Sequence, residues 1–199
     1  MPVAATGVGL LWSVLSLIAS VLNSVGFYSP YWLRGTSFNR TQVTFGSFRR
    51  CVYPRLGEDG DWVMVYECGR YTTFSDIPSV SWQIVTVAVG VGSAISLLAA
   101  FTALASCCIS DVLTKSTARI LGMIQLLAAT AITIGCVIYP NGWSSREIKD
   151  ACGDSSDAYR LGSCNFSWSI YLLASGVILL VICSALSFKA APDKLPYRI

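Results

Sequence analysis

Four segments of this sequence, residues 7–28, 82–106, 120–139 and 168–188, contain no aspartate, glutamate, lysine or arginine. Each is about 20 residues long or longer, which at about 1.5 Å per residue lets a helix cross the roughly 30 Å hydrocarbon core of a bilayer. Only 13% of the 199 residues are charged, about half the usual share in soluble domains. Because so small a polar remainder cannot cover four buried helices, the sequence predicts an α-helical membrane protein, a single tetraspan domain with four transmembrane helices.

The linkers between these spans bear on the orientation in the membrane. With four spans both termini lie on one side, so the first linker (29–81) and the third (140–167) face the other side from the second linker (107–119) and the tail (189–199). Lysine and arginine number nine in the first and third linkers and five in the second linker and tail. Taken alone, the positive-inside rule therefore favours extracellular termini, although much of the charge lies in a long linker that is expected to fold.

Cysteines and glycosylation sequons favour the opposite orientation. The first and third linkers each contain two cysteines and one Asn-x-Ser/Thr sequon: Cys51, Cys68 and Asn39 in the first, and Cys152, Cys164 and Asn165 in the third. Disulfides persist in oxidising compartments, and such sequons are glycosylated in secreted segments. Because both features agree, we expect the disulfides Cys51–Cys68 and Cys152–Cys164, glycans on both asparagines, and cytoplasmic termini.

The first extracellular linker has the pattern of an antiparallel sheet. The segments "TQVTFGSFRRC" and "WVMVYE" alternate as strands do, and Gly46 in the first of them allows a bend or bulge. The segment "RLGEDGD" between them has the composition of a turn. We expect this sheet to rest on the outer ends of the helices.

The third linker predicts a short extracellular helix before Cys152. Ser144 and Glu147 have the spacing of a capping box, and Gly153 lies where a helix would stop.

The composition argues against catalysis and ion transport. The chain has no histidine, which removes Ser-His-Asp and Cys-His arrangements and most zinc sites. With no charge inside a span, no proton relay, ion-coordinating acid or voltage sensor is expected. We therefore expect a non-enzymatic protein that has no cofactor or metal and does not bind nucleic acid.

Two features of the cytoplasmic segments have an ordinary interpretation beside a functional one. Cys107 and Cys108 follow the second span, a setting typical of S-palmitoylation, but reduced thiols explain them equally well. The chain ends "KLPYRI", whose Tyr197 and Ile199 could add as a strand to a PDZ domain. An unused tail is the alternative.

Several longer stretches resemble one family. They are "VGFYSPYWLRG", "FGSFRRCVYP", "YECGRYTTFSDIPSVSW", "CCISD", "GCVIYPNGWSSREI" and "LGSCNFSWS". Together they resemble the lipoma HMGIC fusion partner-like tetraspan family, with "FRRC" and "ECGRY" most similar to its founding member. The layout is more distantly similar to claudins and to auxiliary subunits of AMPA-type glutamate receptors. Claudins carry Gly-Leu-Trp where this chain has Gly46, Ser47 and Phe48, which argues against claudin-like strands at tight junctions.

The resemblance implies a claudin-like fold and a function through association. Members of the family are similar to auxiliary subunits that assemble, traffic or gate plasma-membrane ion channels and receptors, so channel subunits and membrane lipid are the implied partners. A claudin-like adhesive junction protein is the alternative. Five aromatic residues are either partner contacts or core of the sheet: Trp32, Phe45, Phe48, Trp62 and Tyr71. Trp12 and Trp82 are expected to be interfacial anchors.

Overall fold

The computed structural model describes residues 7–36, 41–56, 61–108 and 114–190, with the backbone alone for 54–56, 62 and 106–108. It contains four long helices, α1 (Gly7–Tyr28), α2 (Val80–Cys108), α3 (Lys115–Ile138) and α5 (Trp168–Ala190). All four are long and apolar enough to cross a membrane, because their sequences lack charge over about 20 residues. The predicted four-helix membrane fold is confirmed.

The four long helices form a closed bundle. Helix α1 packs against α2 and α5, and α3 packs against the same two helices. Small residues allow the backbones to approach closely. At Gly92 of α2, for example, an added Cβ would lie only 2.7 Å from Cγ1 of Ile132 on α3.

A polar network fixes the half of the bundle that lies away from the sheet described below. The indole Nε1 of Trp12 donates to Oε1 of Gln125 at 3.2 Å, and Nε2 of Gln125 donates to Oγ of Ser16 at 2.7 Å. All three side chains are fully buried, and the hydrogen bonds offset the cost of placing polar groups there. Trp12 is therefore an interior residue, and its prediction as an interfacial anchor is wrong.

Five strands form one antiparallel sheet outside the bundle. They are β1 (Leu33–Thr36), β2 (Gln42–Phe45), β3 (Arg49–Leu56), β4 (Trp62–Arg70) and β5 (Asn165–Phe166). Their order across the sheet is β4-β3-β2-β1-β5. The predicted sheet is confirmed, but β1 and β5 were not anticipated. Strand β5 comes from the third linker and pairs with β1 of the first, with Phe166 opposite Leu33.

The short helix α4 (Arg146–Cys152) lies beside the sheet. Its N-cap is Ser145, whose side chain makes no capping hydrogen bond, so the capping box predicted from Ser144 and Glu147 is wrong. The helix begins one residue later than predicted, so Glu147 is its second residue and not its third. The Glu147 carboxylate is engaged by the sheet instead, as described below. Gly153 ends α4 as expected, with a φ of 87° that favours glycine.

Candidate functional site: a platform fixed to the helices

The sheet and α4 together form what we call the platform. Its base is an aromatic cluster at the outer ends of the helices, made of Trp32, Phe45, Trp82, Tyr139, Trp143 and Phe166. Within the cluster, Trp82 stacks on Tyr139 with ring centroids 4.9 Å apart and 10° between the planes. Trp32 meets the same Tyr139 edge-on at 4.9 Å. Aromatic pairs of this kind contribute about 0.5–1.5 kcal/mol beyond burial of their area.

The polar ends of these rings tie the cluster to the backbone. The indole Nε1 of Trp32 donates to the carbonyl of Gly26 at 2.7 Å, in the last turn of α1, where carbonyls lack helical partners. The Nε1 of Trp82 donates to the carbonyl of Tyr139 at 3.0 Å. The hydroxyl of Tyr139 donates to the carbonyl of Phe45 at 3.4 Å. Helices α1, α2 and α3 are thereby joined to strand β2 and to the segment before β1.

A second group of residues, which we call the outer clamp, joins the sheet to α4. The guanidinium of Arg50 on β3 lies 2.5 Å from the Glu147 carboxylate on α4. The hydroxyl of Tyr71, just after β4, donates to the other carboxylate oxygen at 3.2 Å. Arg50 also lies over the rings of Tyr53 and Tyr71, with its guanidinium carbon 4.3 and 4.7 Å from their centroids. One arginine therefore connects β3 and the segment after β4, both in the first linker, with helix α4 of the third linker.

Tyr71 stays protonated within the outer clamp. Burial raises the pKa of the Tyr71 hydroxyl well above its ordinary value, and the negative charge of Glu147 raises it further. Tyr71 therefore remains a hydrogen-bond donor to Glu147 across the physiological pH range.

Two disulfides cross-link the platform, one between β3 and β4 and one between α4 and the segment before β5. Cys51 of β3 and Cys68 of β4 lie directly opposite each other and are bonded, with Cα atoms 4.0 Å apart. Cys152 at the end of α4 is bonded to Cys164, just before β5, with Cα atoms 5.0 Å apart. Strand β1 passes close to this second bridge: a Cβ added at Gly35 would lie 2.6 Å from Sγ of Cys164.

The structure places most of the five candidate contact aromatics inside the fold. Trp32, Phe45 and Tyr71 are 0%, 3% and 7% exposed, so the core interpretation holds for these three. Phe48 is half-buried and packs on Phe27 of α1 with centroids 4.9 Å apart. For Trp62, at the start of β4, the side chain lies outside the described atoms. Trp82 is fully buried as well, so its prediction as an interfacial anchor is wrong.

The remaining predicted sites are scattered. Asn165 is exposed on β5, at the edge of the sheet. Cys107 and Cys108 end α2, where only the backbone is described. Asn39, Tyr197 and Ile199 lie outside the described residues.

Sequence reasoning missed the exposed apolar residues of the platform. Val63 and Tyr66 on β4 are 54% and 71% exposed. Phe74, between β4 and α2, and Val80, the first residue of α2, are 52% and 69% exposed. Val63 and Tyr66 point to opposite faces of β4, so both faces of this edge strand are accessible. Its alternation could not reveal this, because alternation indicates two faces and not a position at an edge.

The two short motifs that carry the resemblance meet in space. The residues of "FRRC" lead into β3 and those of "ECGRY" end β4, and they bring together the first disulfide and two members of the outer clamp. A family model described as lipoma HMGIC fusion partner-like protein matches residues 8–191. The chain belongs to this family.

Curated relatives in the lipoma HMGIC fusion partner-like family match along most of their length. The LHFPL tetraspan subfamily member 5 protein of Gallus gallus is 34% identical over 187 residues, which cover 92% of this chain and 80% of the relative. The member 3 protein of Danio rerio is 30% identical over 185 residues, covering 91% and 80%. The member 2 protein of Homo sapiens is 27% identical over 197 residues, covering 91% and 86%. The chain is therefore a multi-pass tetraspan membrane protein.

Proposed function

We propose that this protein is a non-enzymatic auxiliary or assembly subunit of a plasma-membrane ion-channel or receptor complex. The observation that carries the proposal is the rigid attachment of the platform to the four-helix bundle. A partner that contacts both the platform and a helix face would have its ectodomain and its transmembrane segment held in one geometry. Such coupling is what support of assembly, trafficking or gating requires.

Three separate attachments support this rigidity. The aromatic cluster places Trp32 and Phe45 against the outer ends of the helices. The outer clamp joins β3 to α4 through Arg50 and Glu147. The second disulfide joins α4 to the segment that enters β5 and α5. Because these attachments lie at different points, relative motion of the platform and bundle would have to break several of them together.

Helix α1 offers a lateral face for a partner helix. Val14, Ile18, Val21 and Val25 recur at helical spacing and are between 43% and 47% exposed. Such a stripe faces outward from the bundle, where in a bilayer it meets lipid or another helix. On the platform, the corresponding surface is the outer edge of β4 around Tyr66. We propose these two surfaces as the contacts with the partner.

The proposed function requires a defined orientation. We propose a plasma-membrane location with both termini in the cytoplasm, the platform outside the cell, and glycans on Asn39 and Asn165. Palmitoylation of Cys107 and Cys108, and PDZ binding through Tyr197 and Ile199, belong to the same proposal. The two disulfides support this orientation, because they lie in the two linkers assigned to the oxidising side.

Affinity purification tests the proposal. The tagged full-length chain would be purified from its native tissue in a mild detergent, and co-purifying proteins quantified by mass spectrometry. We expect channel or receptor subunits in a fixed stoichiometry. Recovery would fall in Val21→Ser and Tyr66→Ala variants, while Tyr171→Ala, an exposed residue on α5, would behave as the wild type.

Two other results would contradict the proposal. Self-association with adhesion or scaffold proteins, together with enrichment at contacts between two expressing cells, would favour the junction alternative. Currents from the protein expressed alone would indicate a pore-forming channel.

A further inference from the structure

Two arginines stand side by side at the base of the β3–β4 hairpin. Arg49 on β3 and Arg70 on β4 are direct partners in the antiparallel register. Directly opposed residues project from the same face of a sheet, with Cβ atoms about 4.5–5.5 Å apart, and like charges there are destabilising. We call these two residues the arginine pair.

The described part of the chain does not neutralise the arginine pair. The neighbouring Arg50 has the Glu147 carboxylate as its partner, but neither Arg49 nor Arg70 has a carboxylate within ion-pair distance among the described residues. Two unneutralised guanidinium groups in this register are suited to an anion that both can contact. A phosphate is such an anion, since planar guanidinium groups bind its oxygens with paired hydrogen bonds.

The depth of the arginine pair is set by helix α1. Nη1 of Arg49 donates to the carbonyl of Tyr28 at 3.4 Å, and the Arg49 guanidinium lies 4.4 Å from the centroid of the Tyr28 ring. Tyr28 is the last residue of α1, a membrane span. The guanidinium is therefore held where the hydrocarbon core gives way to headgroups. A guanidinium has five N–H donors, so most remain for a ligand.

The surroundings of the pair are those of a headgroup region. Cys68, on the same face of β4 as Arg70, is 3.9 Å from the hydroxyl of Tyr31, and Tyr31 packs on Trp168 with centroids 5.5 Å apart. Tyr28 is 63% and Trp168 45% exposed. Tyrosine and tryptophan are enriched at this level of membrane proteins, where an apolar ring and a polar tip both find partners.

We propose that Arg49 and Arg70 bind the phosphate of a phospholipid in the leaflet next to the platform. The lipid would lie beside the outer end of α1, with its phosphate between the two guanidinium groups. This site goes beyond the proposed function, because it requires no protein partner. The membrane depth favours a lipid over a carboxylate of a partner ectodomain.

Native mass spectrometry of the purified full-length chain in detergent tests the site. The probes are dioleoylphosphatidylcholine and dioleoylglycerol, which share acyl chains and differ in the phosphate headgroup. We expect one retained phosphatidylcholine and little dioleoylglycerol. Arg49→Gln and Arg70→Gln would each lower the retained fraction about tenfold, in line with the loss of a charge-assisted hydrogen bond.

Matched variants distinguish loss of this site from the effect of removing any arginine from the surface. Arg146→Gln removes an exposed arginine of α4 and would leave retention unchanged. Arg49→Lys and Arg70→Lys keep the charge without the paired donors, and would retain an intermediate amount. They also serve as the test if a glutamine variant fails to elute as a monodisperse species.

Several outcomes would overturn the proposal. Equal retention of dioleoylglycerol would show that the acyl chains alone bind. Unchanged retention in both glutamine variants would show that the arginine pair does not contact the lipid. A rise in melting temperature with inorganic phosphate alone, equal to that with phosphatidylcholine, would indicate a free-anion site. Loss of a co-purifying protein from these variants, with lipid retention intact, would assign the pair to a partner's carboxylate.

Discussion

The guanidinium of Arg50 and the carboxylate of Glu147 lie 2.5 Å apart although 97 residues separate them in the chain. Their side chains are 23% and 22% exposed, so the pair is neither buried nor freely solvated. Among the described residues, this ion pair joins the first linker to the third. Its removal would weaken the attachment of α4 to the sheet.

A double-mutant cycle on this pair measures the coupling between the linkers. Arg50→Gln and Glu147→Gln would each lower the free energy of unfolding by about 1–2 kcal/mol, between the values for exposed and buried charged hydrogen bonds. The double variant would lose about as much as one single variant, because the second change removes a partner that is already unpaired. Thermal unfolding in detergent checks this, with Arg146→Gln as the control. Strictly additive losses would mean that the two residues act separately.

Replacement of Trp82 tests the aromatic cluster. Trp82→Ala would remove a fully buried ring stacked on Tyr139 and cost about 3–5 kcal/mol. Trp82→Phe keeps an aromatic ring but removes the donor to the Tyr139 carbonyl, and would cost about 1–2 kcal/mol. The melting temperatures of both variants would be compared with that of Tyr171→Ala, an exposed control. Equal behaviour of Trp82→Ala and this control would contradict the cluster's role.

The first disulfide is expected to determine surface delivery. Cys51 and Cys68 are separated by 17 positions, and closing a loop of this size contributes about 3 kcal/mol in the loop-entropy description. Cys51→Ser or Cys68→Ser would therefore be retained in the endoplasmic reticulum, as measured by surface biotinylation. Cys136→Ala removes a free cysteine of α3 and would reach the surface normally. Normal surface levels of both serine variants would disprove this prediction.

Two glycines of the sheet differ in the room beside them. A Cβ at Gly35 would lie 2.6 Å from Sγ of Cys164 and 3.1 Å from the carbonyl oxygen of Ala151, whereas one at Gly69 would meet nothing closer than 3.4 Å. Gly35→Ala would therefore destabilise the protein by about 1–3 kcal/mol through overpacking, and Gly69→Ala would be tolerated. The expression level and melting temperature of the two variants, each compared with the wild type, test this prediction. A tolerated Gly35→Ala would mean that β1 can move away from the second bridge.

Glycosidase treatment tests the proposed orientation. We expect the wild-type protein from cells to migrate faster after treatment, and Asn39→Gln and Asn165→Gln each to remove one step of the shift. Asn141→Gln, at an asparagine of the third linker outside any sequon, serves as the control. An unchanged wild-type mobility would count against an extracellular platform.

The spans were predictable because their signal is local: about 20 successive residues without charge define each of them. Strand β4 was predictable for a similar reason, since the alternation of "WVMVYE" lies within one segment. The upstream alternating segment was predictable only in part, because the structure divides it into β2 and the start of β3. Strands β1 and β5 were missed because Leu33–Thr36 and Asn165–Phe166 are too short to show a period, and they become strands only by pairing across the fold.

The site was harder to predict than the fold. Trp32 and Phe45 are apolar in sequence whether they line a core or a surface, and only the position of the helix ends decides which. Similarly, Glu147 has the spacing of a capping residue. In the structure, however, its carboxylate accepts hydrogen bonds from Arg50 and Tyr71, which belong to another linker. Long-range partners of this kind leave no trace in local spacing.

The pairing of β5 with β1 also sets an order of events during synthesis. Leu33 emerges early, but its partner Phe166 follows only after three spans have been made. Until then β1 has an unpaired edge, and such edges favour association with other chains. A chain that stops before the fourth span therefore keeps the edge of β1 exposed. Chaperones that bind unpaired strands can recognise such a chain by that edge.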